Sequence, residues 1–160
     1  MKSVAAYFGK TVLRDVDERD FYARLAEVRK AAGDRAALRA MHFFDENRRV
    51  QMQVRALRND NFAAFLNYVN ESGNASWELL QNITPLGATA HQEMALTLAL
   101  CRKLLGGEGA VRVHGGGFAG TALAFVPNDG FEDFKTAVEA THGVDCCHRI
   151  KIENKLNTSL

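Results

Sequence analysis

The sequence predicts an α+β fold, a two-layer sandwich in which a helical portion (residues 1–105) precedes a small antiparallel sheet with a helix (106–152) and a polar tail (153–160). Three observations predict it. Apolar residues recur at helical spacing as far as Leu105. From Gly106 onward glycines break that period, and Val111 and Val113 alternate with Arg112 as in a strand. The order after the last long helix then reads strand, strand, helix, strand.

Each element has its own signal. Asp17 reads as a cap for a first helix, in which Phe21, Leu25 and Val28 recur until Gly33 stops the run. Asp34 reads as the cap of a longer helix reaching about Leu57. Its apolar face carries Phe43, Val50 and Leu57 with Ala36, Ala40 and Val54 beside them, and its other face is Arg-rich and solvated. Asn61 starts a third helix with the stripe Phe62, Phe65, Leu66 and Val69, ending near Gly73 and followed by a further turn through Trp77 and Leu80. After Pro85, Thr89 and Gln92 have capping-box spacing. The helix that follows, with Met94, Leu96, Leu98, Leu100, Leu104 and Leu105, is apolar nearly all round and should be buried. Beyond the first strand, Leu123 to Val126 reads as a second strand. Phe131, Phe134 and Val138 read as a helix face, and Cys146, His148, Ile150 and Ile152 as one face of a third strand.

Composition narrows the function. The chain has 160 residues, 47% of them hydrophobic, with 20 Lys plus Arg against 19 Asp plus Glu and a net charge of +1, as expected of one globular domain. So even a balance offers no basic footprint for nucleic acid and no polybasic patch for an anionic membrane. The apolar run Val4 to Phe8 is too short for a signal-peptide core or a membrane span, so the expected location is cytoplasmic. Three cysteines, two of them adjacent (Cys146, Cys147), make no disulfide framework and fit a reducing compartment.

The stretch His114-Gly-Gly-Gly-Phe-Ala-Gly-Thr121 demands a special explanation. Consecutive glycines permit positive φ, let peptide N–H groups converge on an anion, and let another chain approach closely. A tight hairpin packed against a helix is the simplest reading. Gly115, Gly117 and Gly120 satisfy G-x-G-x-x-G, but a dinucleotide fold needs a helix after the last glycine, and here a strand follows. A P-loop is rejected because Thr121 stands where lysine should reach the phosphates. The His-Gly-Gly-Gly run also mimics the oxyanion-hole motif of esterases, which requires a serine on a G-x-S-x-G elbow that this chain lacks.

The segment Arg112-Val-His-Gly-Gly-Gly-Phe-Ala-Gly-Thr121 resembles the third signature of the GHMP sugar-kinase superfamily, in its galactokinase variant. The segment from Val4 to Val16, Leu38-Arg-Ala-Met-His42 with Glu46 and Arg49, and Asn70-Glu-Ser-Gly73 fall in galactokinase order and spacing, so the resemblance covers about Lys2 to Ile152. Gly73 stands where many members carry His, and Ala119 where many carry Gly. The resemblance implies a ferredoxin-like GHMP kinase C-terminal domain. The intact enzyme would transfer the ATP γ-phosphate to the anomeric hydroxyl of galactose with Mg2+ as cofactor. Gly115, Gly116, Gly117, Phe118, Ala119 and Gly120 would form a nucleotide-phosphate or cleft loop, and Asn70, Glu71 and Ser72 could face the same cleft. The family's sugar motif, Ser-rich phosphate loop and catalytic aspartate lie upstream, so no catalytic residue and no magnesium ligand is assigned here.

The chain alone is therefore expected to be inactive, with the missing N-terminal kinase domain as its partner or a homodimer through the exposed interdomain surface. The other reading is a non-catalytic binding or sensor module derived from a sugar kinase. His42, Glu46 and Arg49 share one helix face and suit a polar network rather than catalysis. His142, Cys146, Cys147 and His148 are the tightest metal-like cluster, but neighbours in a strand point to opposite faces, so no metal site is expected.

Overall fold

The computed structural model describes residues 1–118 and 120–151. In chain order it holds α1 (Lys2–Tyr7), a 3-10 turn (Leu13–Asp15), α2 (Glu18–Ala23), α3 (Leu25–Ala32), α4 (Asp34–Arg58), α5 (Phe62–Ala75), a π-helical turn (Ser76–Leu80), α6 (Glu93–Leu105), β1 (Ala110–Val113), β2 (Ala122–Phe125) and α7 (Phe131–His142). Helices and an antiparallel sheet coexist in one chain, the α+β class that the switch of period at Gly106 predicts.

The helical portion closes over one apolar core. Val4 and Ala5 of α1, Phe21, Val28, and Ala37, Ala40 and Phe44 of α4 are buried together with Leu13 and Val16. Asp17 caps α2 as its position predicts, its side chain accepting from the N–H groups of Arg19 and Asp20. The first predicted helix is two, because the chain breaks at Arg24 before α3 resumes at Leu25. Asp34 does not cap α4; it lies inside the first turn and takes a forked bond from Arg29 at 2.7 and 3.1 Å. The apolar stripe of α4 is buried only in its first half. Val50, Val54 and Leu57 stay exposed, whereas Ala56 at the same end of the helix is buried, so it is this face and not the end that is left uncovered among the described residues.

A second core joins α6, β1 and α7. Met94, Leu98, Cys101 and Leu105 of α6 meet Val111 and Val113 of β1, Phe134 and Val138 of α7, and Ile83. Their spacing on α6 makes a single stripe. Leu96 and Leu104 remain exposed, so α6 is one-sided rather than enclosed, and Thr89 and Gln92 form no capping box: Gln92 donates instead to the Ala88 carbonyl. The ladder pairs Ala110 with Phe125 and Val113 with Ala122. Among the described residues the predicted third strand is absent. Gly143 and Asp145 both adopt positive φ, residues 146–151 form no ladder, and the Arg149 guanidinium leaves for the Phe131 ring and Asn128. Ile152 and the tail 153–160 lie outside the described residues.

Helix α5 links the two cores, packing on α4 by one side and on β1 by the other. It runs two residues past the predicted end, because Gly73 is where helix and strand come closest rather than a stop. A Cβ at Gly73 would lie 3.0 Å from the Val111 carbonyl oxygen and 3.2 Å from Arg112 Cβ.

Candidate functional site: the glycine bend and its supports

The bend between β1 and β2 is open to solvent on one side and pressed against the protein on the other. Its neck is closed by the His114 N–H donating to Thr121 O, and the Gly120 N–H donates to Gly117 O within it. At Gly115 and Gly116 an added Cβ would meet nothing within 4 Å, and Phe118 is exposed. Gly117 is buried. A Cβ there would fall 2.0 Å from the main-chain oxygen of Asn82, and φ is +92°. The hairpin packs against α5 and α6, as the simplest reading expects, while its tip at Gly117 rests on the segment after the π-helical turn. Ala119, assigned to the same loop, lies outside the described residues.

Gly115, Gly117 and Gly120 have positive φ while Gly116 does not, backbone conformations that glycine adopts without strain. No side chain stands on the exposed surface of Gly115 and Gly116, so a ligand can approach the backbone itself.

Asn70, Glu71 and Ser72 have three different environments. Asn70 is spent on β1: its Nδ2 donates to Gly109 O at 3.1 Å, and its Oδ1 accepts from the Val111 N–H at 3.1 Å, so it closes the strand's outer edge. Ser72 is fully buried, donates to Glu46 Oε1 and accepts from Arg112 Nη1. Glu71 alone of the three is exposed, 3.6 Å from Arg49 Nε.

Those contacts belong to a polar network between the two cores. Glu46 takes Arg49 Nη1 at 2.7 Å on one oxygen, and Ser72 with Arg112 (3.5 Å) on the other. Arg112 Nε also donates to Val113 O, next to the start of the bend. His42 lies on the same face of α4 and is buried. That burial holds it below the usual histidine range, Arg49 and Arg112 push the same way, and Glu46 and the Ala75 main chain pull against them. Sequence reasoning placed His42, Glu46 and Arg49 together. It missed Arg112, although the strand alternation already put that residue on the face opposite Val111 and Val113.

The cysteine cluster has a different character. Cys147 packs on the second core, which contains Cys101, and burial pushes both thiols up to about 11, so they are protonated and poorly nucleophilic at neutral pH. Cys146 is exposed. Among the described residues no three His, Cys, Asp or Glu side chains converge as metal ligands, and no helix is long and apolar enough to cross a membrane.

No family model matches the chain. Among curated proteins, it is 30% identical to the galactokinase of Haemophilus influenzae over 128 residues, covering 80% of this chain and 31% of that enzyme. It is 28% identical over 137 residues to the galactokinase of Mannheimia succiniciproducens, covering 86% of this chain and 34% of that enzyme. To the galactokinase of Glaesserella parasuis it is 29% identical over 134 residues, 84% of this chain and 33% of that enzyme. The chain is thus homologous to a segment of galactokinase and spans about a third of the length of the curated relatives it matches.

Proposed function

We propose that this chain acts as the C-terminal part of a galactokinase-type sugar kinase, in which residues 115–120 wall one side of a cleft where the ATP γ-phosphate passes to the anomeric hydroxyl of galactose. One observation carries the reading: in a galactokinase homologue, the glycine bend turns a surface free of side chains outward while its far side is braced by the fold.

Phosphoryl transfer is mostly positioning and charge stabilisation. The part of it that suits these residues is backbone N–H donation from the bend and exclusion of bulk from the cleft wall. Arg112 and Ser72 hold the strand that leads into it. Magnesium would neutralise the transferring phosphates. Its ligands, like the base that takes the sugar proton, are assigned to the remainder of the kinase. Cytoplasmic location, and pairing either with that remainder or with a second copy of the chain, belong to the same proposal.

The test is direct. The purified chain with ATP, Mg2+ and galactose should phosphorylate nothing. Joined to, or mixed with, the complementary part of a galactokinase it should give galactose 1-phosphate. A folded, joined protein that binds galactose or ATP without turning it over would favour the sensor module instead.

A further inference from the structure

The geometry points to Asn82 as the positioning residue of the glycine bend. Its route there is built into the fold. The π-helical turn Ser76–Leu80 ends at Gln81 in the left-handed region (φ 55°), which swings the chain out of the helix line, and Arg39 Nε holds the Leu80 carbonyl at 3.2 Å. The next residue, Asn82, is 6% exposed and lies under the bend. Its main-chain oxygen fills the place where any side chain at Gly117 would begin, and its Nδ2 makes a long bond, 3.5 Å, to Gly116 O.

A second observation shows that the side chain is not there for filling. Asn82 Oδ1 is shut off from solvent with no hydrogen-bond partner among the described residues. A buried acceptor without a donor is costly, and an apolar side chain of similar size would remove that cost. The apolar replacement would leave Gly116 O without its donor, so what the amide supplies is a directional hold on the bend. Asn82 thereby fixes where the N–H groups of residues 115–118 point, a role that rests on reading this bend as the cleft wall.

Amide exchange in the 160-residue chain tests the hold without relying on kinase activity. The probes are the His114 and Gly120 N–H groups, which donate within the loop. In Asn82→Ala both should exchange at least ~10-fold faster while amides of α6 and β2 stay within about twofold, the local opening expected when one brace is lost. Gly117→Ala forces the same separation from the loop side and should act alike; it decides the matter on the same criterion if Asn82→Ala does not fold. Gly116→Ala, whose Cβ meets open space, should leave both rates unchanged. Loop exchange within twofold of the unsubstituted chain, or a rise spread evenly through α6 and β2, overturns the proposal. In the joined kinase the Asn82→Ala change should lower kcat at least ~10-fold with the unfolding midpoint retained. A kinase that proves inactive throughout would sink the functional reading and leave the exchange result standing.

Discussion

Replacing Glu46 by Ala should be among the most damaging single changes to this chain, and its cost can be worked from the contacts. Glu46 is 22% exposed and lies between Arg49, 12% exposed, and Arg112, 28% exposed, at 2.7 and 3.5 Å. The fully buried Ser72 hydroxyl also donates to it. Removing the carboxylate leaves two guanidinium groups facing each other between two apolar cores and strips Ser72 of its acceptor. Breaking a buried ion pair from one side costs about 3–5 kcal/mol, and the residual water contact of Arg112 places this case near ~3 kcal/mol. With a urea dependence of about 2 kcal/mol per molar for a domain of this size, the unfolding midpoint should fall by ~1.5 M. Glu71→Ala is the matched control. Its carboxylate is 57% exposed and 3.6 Å from the same Arg49, so its loss should change stability by less than ~0.5 kcal/mol. Equal, small shifts for Glu46→Ala and Glu71→Ala would refute the account of the network as the joint between the two cores. So would a double substitution of Glu46 and Arg112 whose effects simply add, since coupled partners deviate from additivity by about 0.5 kcal/mol or more.

In the joined kinase, Gly116→Val should cut turnover at least ~10-fold while stability stays within about 0.5 kcal/mol, because a Cβ at this position meets no protein atom within 4 Å and bulk added to the bend would intrude on the cleft; unchanged steady-state kinetics would refute the cleft assignment. His42 is held below its ordinary value of 6.5, so the unfolded chain takes up its proton first as the solution is acidified. Stability contributed by this group is present above that pH and is lost as pH falls through the folded value, at no more than about 1.4 kcal/mol per unit. Urea midpoints at pH 7.5 and 5.5 should converge in His42→Gln relative to the unsubstituted chain. At Gly73, alanine should be nearly neutral, since the helix gains about 0.5–1 kcal/mol and a tight contact with β1 offsets it, whereas valine should cost ~1–3 kcal/mol by urea unfolding.

The elements that sequence reasoning located well are those whose signals are local. The Asp17 cap, the α5 start at Asn61 and the strand alternation at Val111 and Val113 each depend on a few adjacent residues, and each is present as predicted. The failures lie where a distant partner decides. Cys146 to Ile152 has strand composition, but a strand exists only with a neighbour to bond, and the turn at Gly143 and Asp145 carries residues 146–151 away from the ladder. The stripe of α4 is continuous through Leu57, yet periodicity says which face is apolar and not what covers it. Gly73 shows the same limit from the other side: a helix-stopping glycine and a close-approach glycine have the same letter, and only the position of β1 separates them.

The site divides along that line too. Local chemistry singled out the glycine run, because three consecutive residues without Cβ are rare enough to require a reason. The residues beneath the run left no comparable trace. Asn82 sits in a polar stretch after a helix, where asparagine is commonplace, and its importance arises only because Gln81 turns the chain toward Gly117. Asn70 bonds the edge of β1 and also lines a shallow cavity with Asn74, Arg102, Leu105, Gly107 and Gly109. The Asn70 amide gives one N–H and one oxygen lone pair to that strand and keeps one of each, so what this end of the molecule can offer a substrate is the bend's backbone together with that remaining capacity. Under the proposed function, the bend's orientation, and therefore whatever holds it, sets where those backbone groups point.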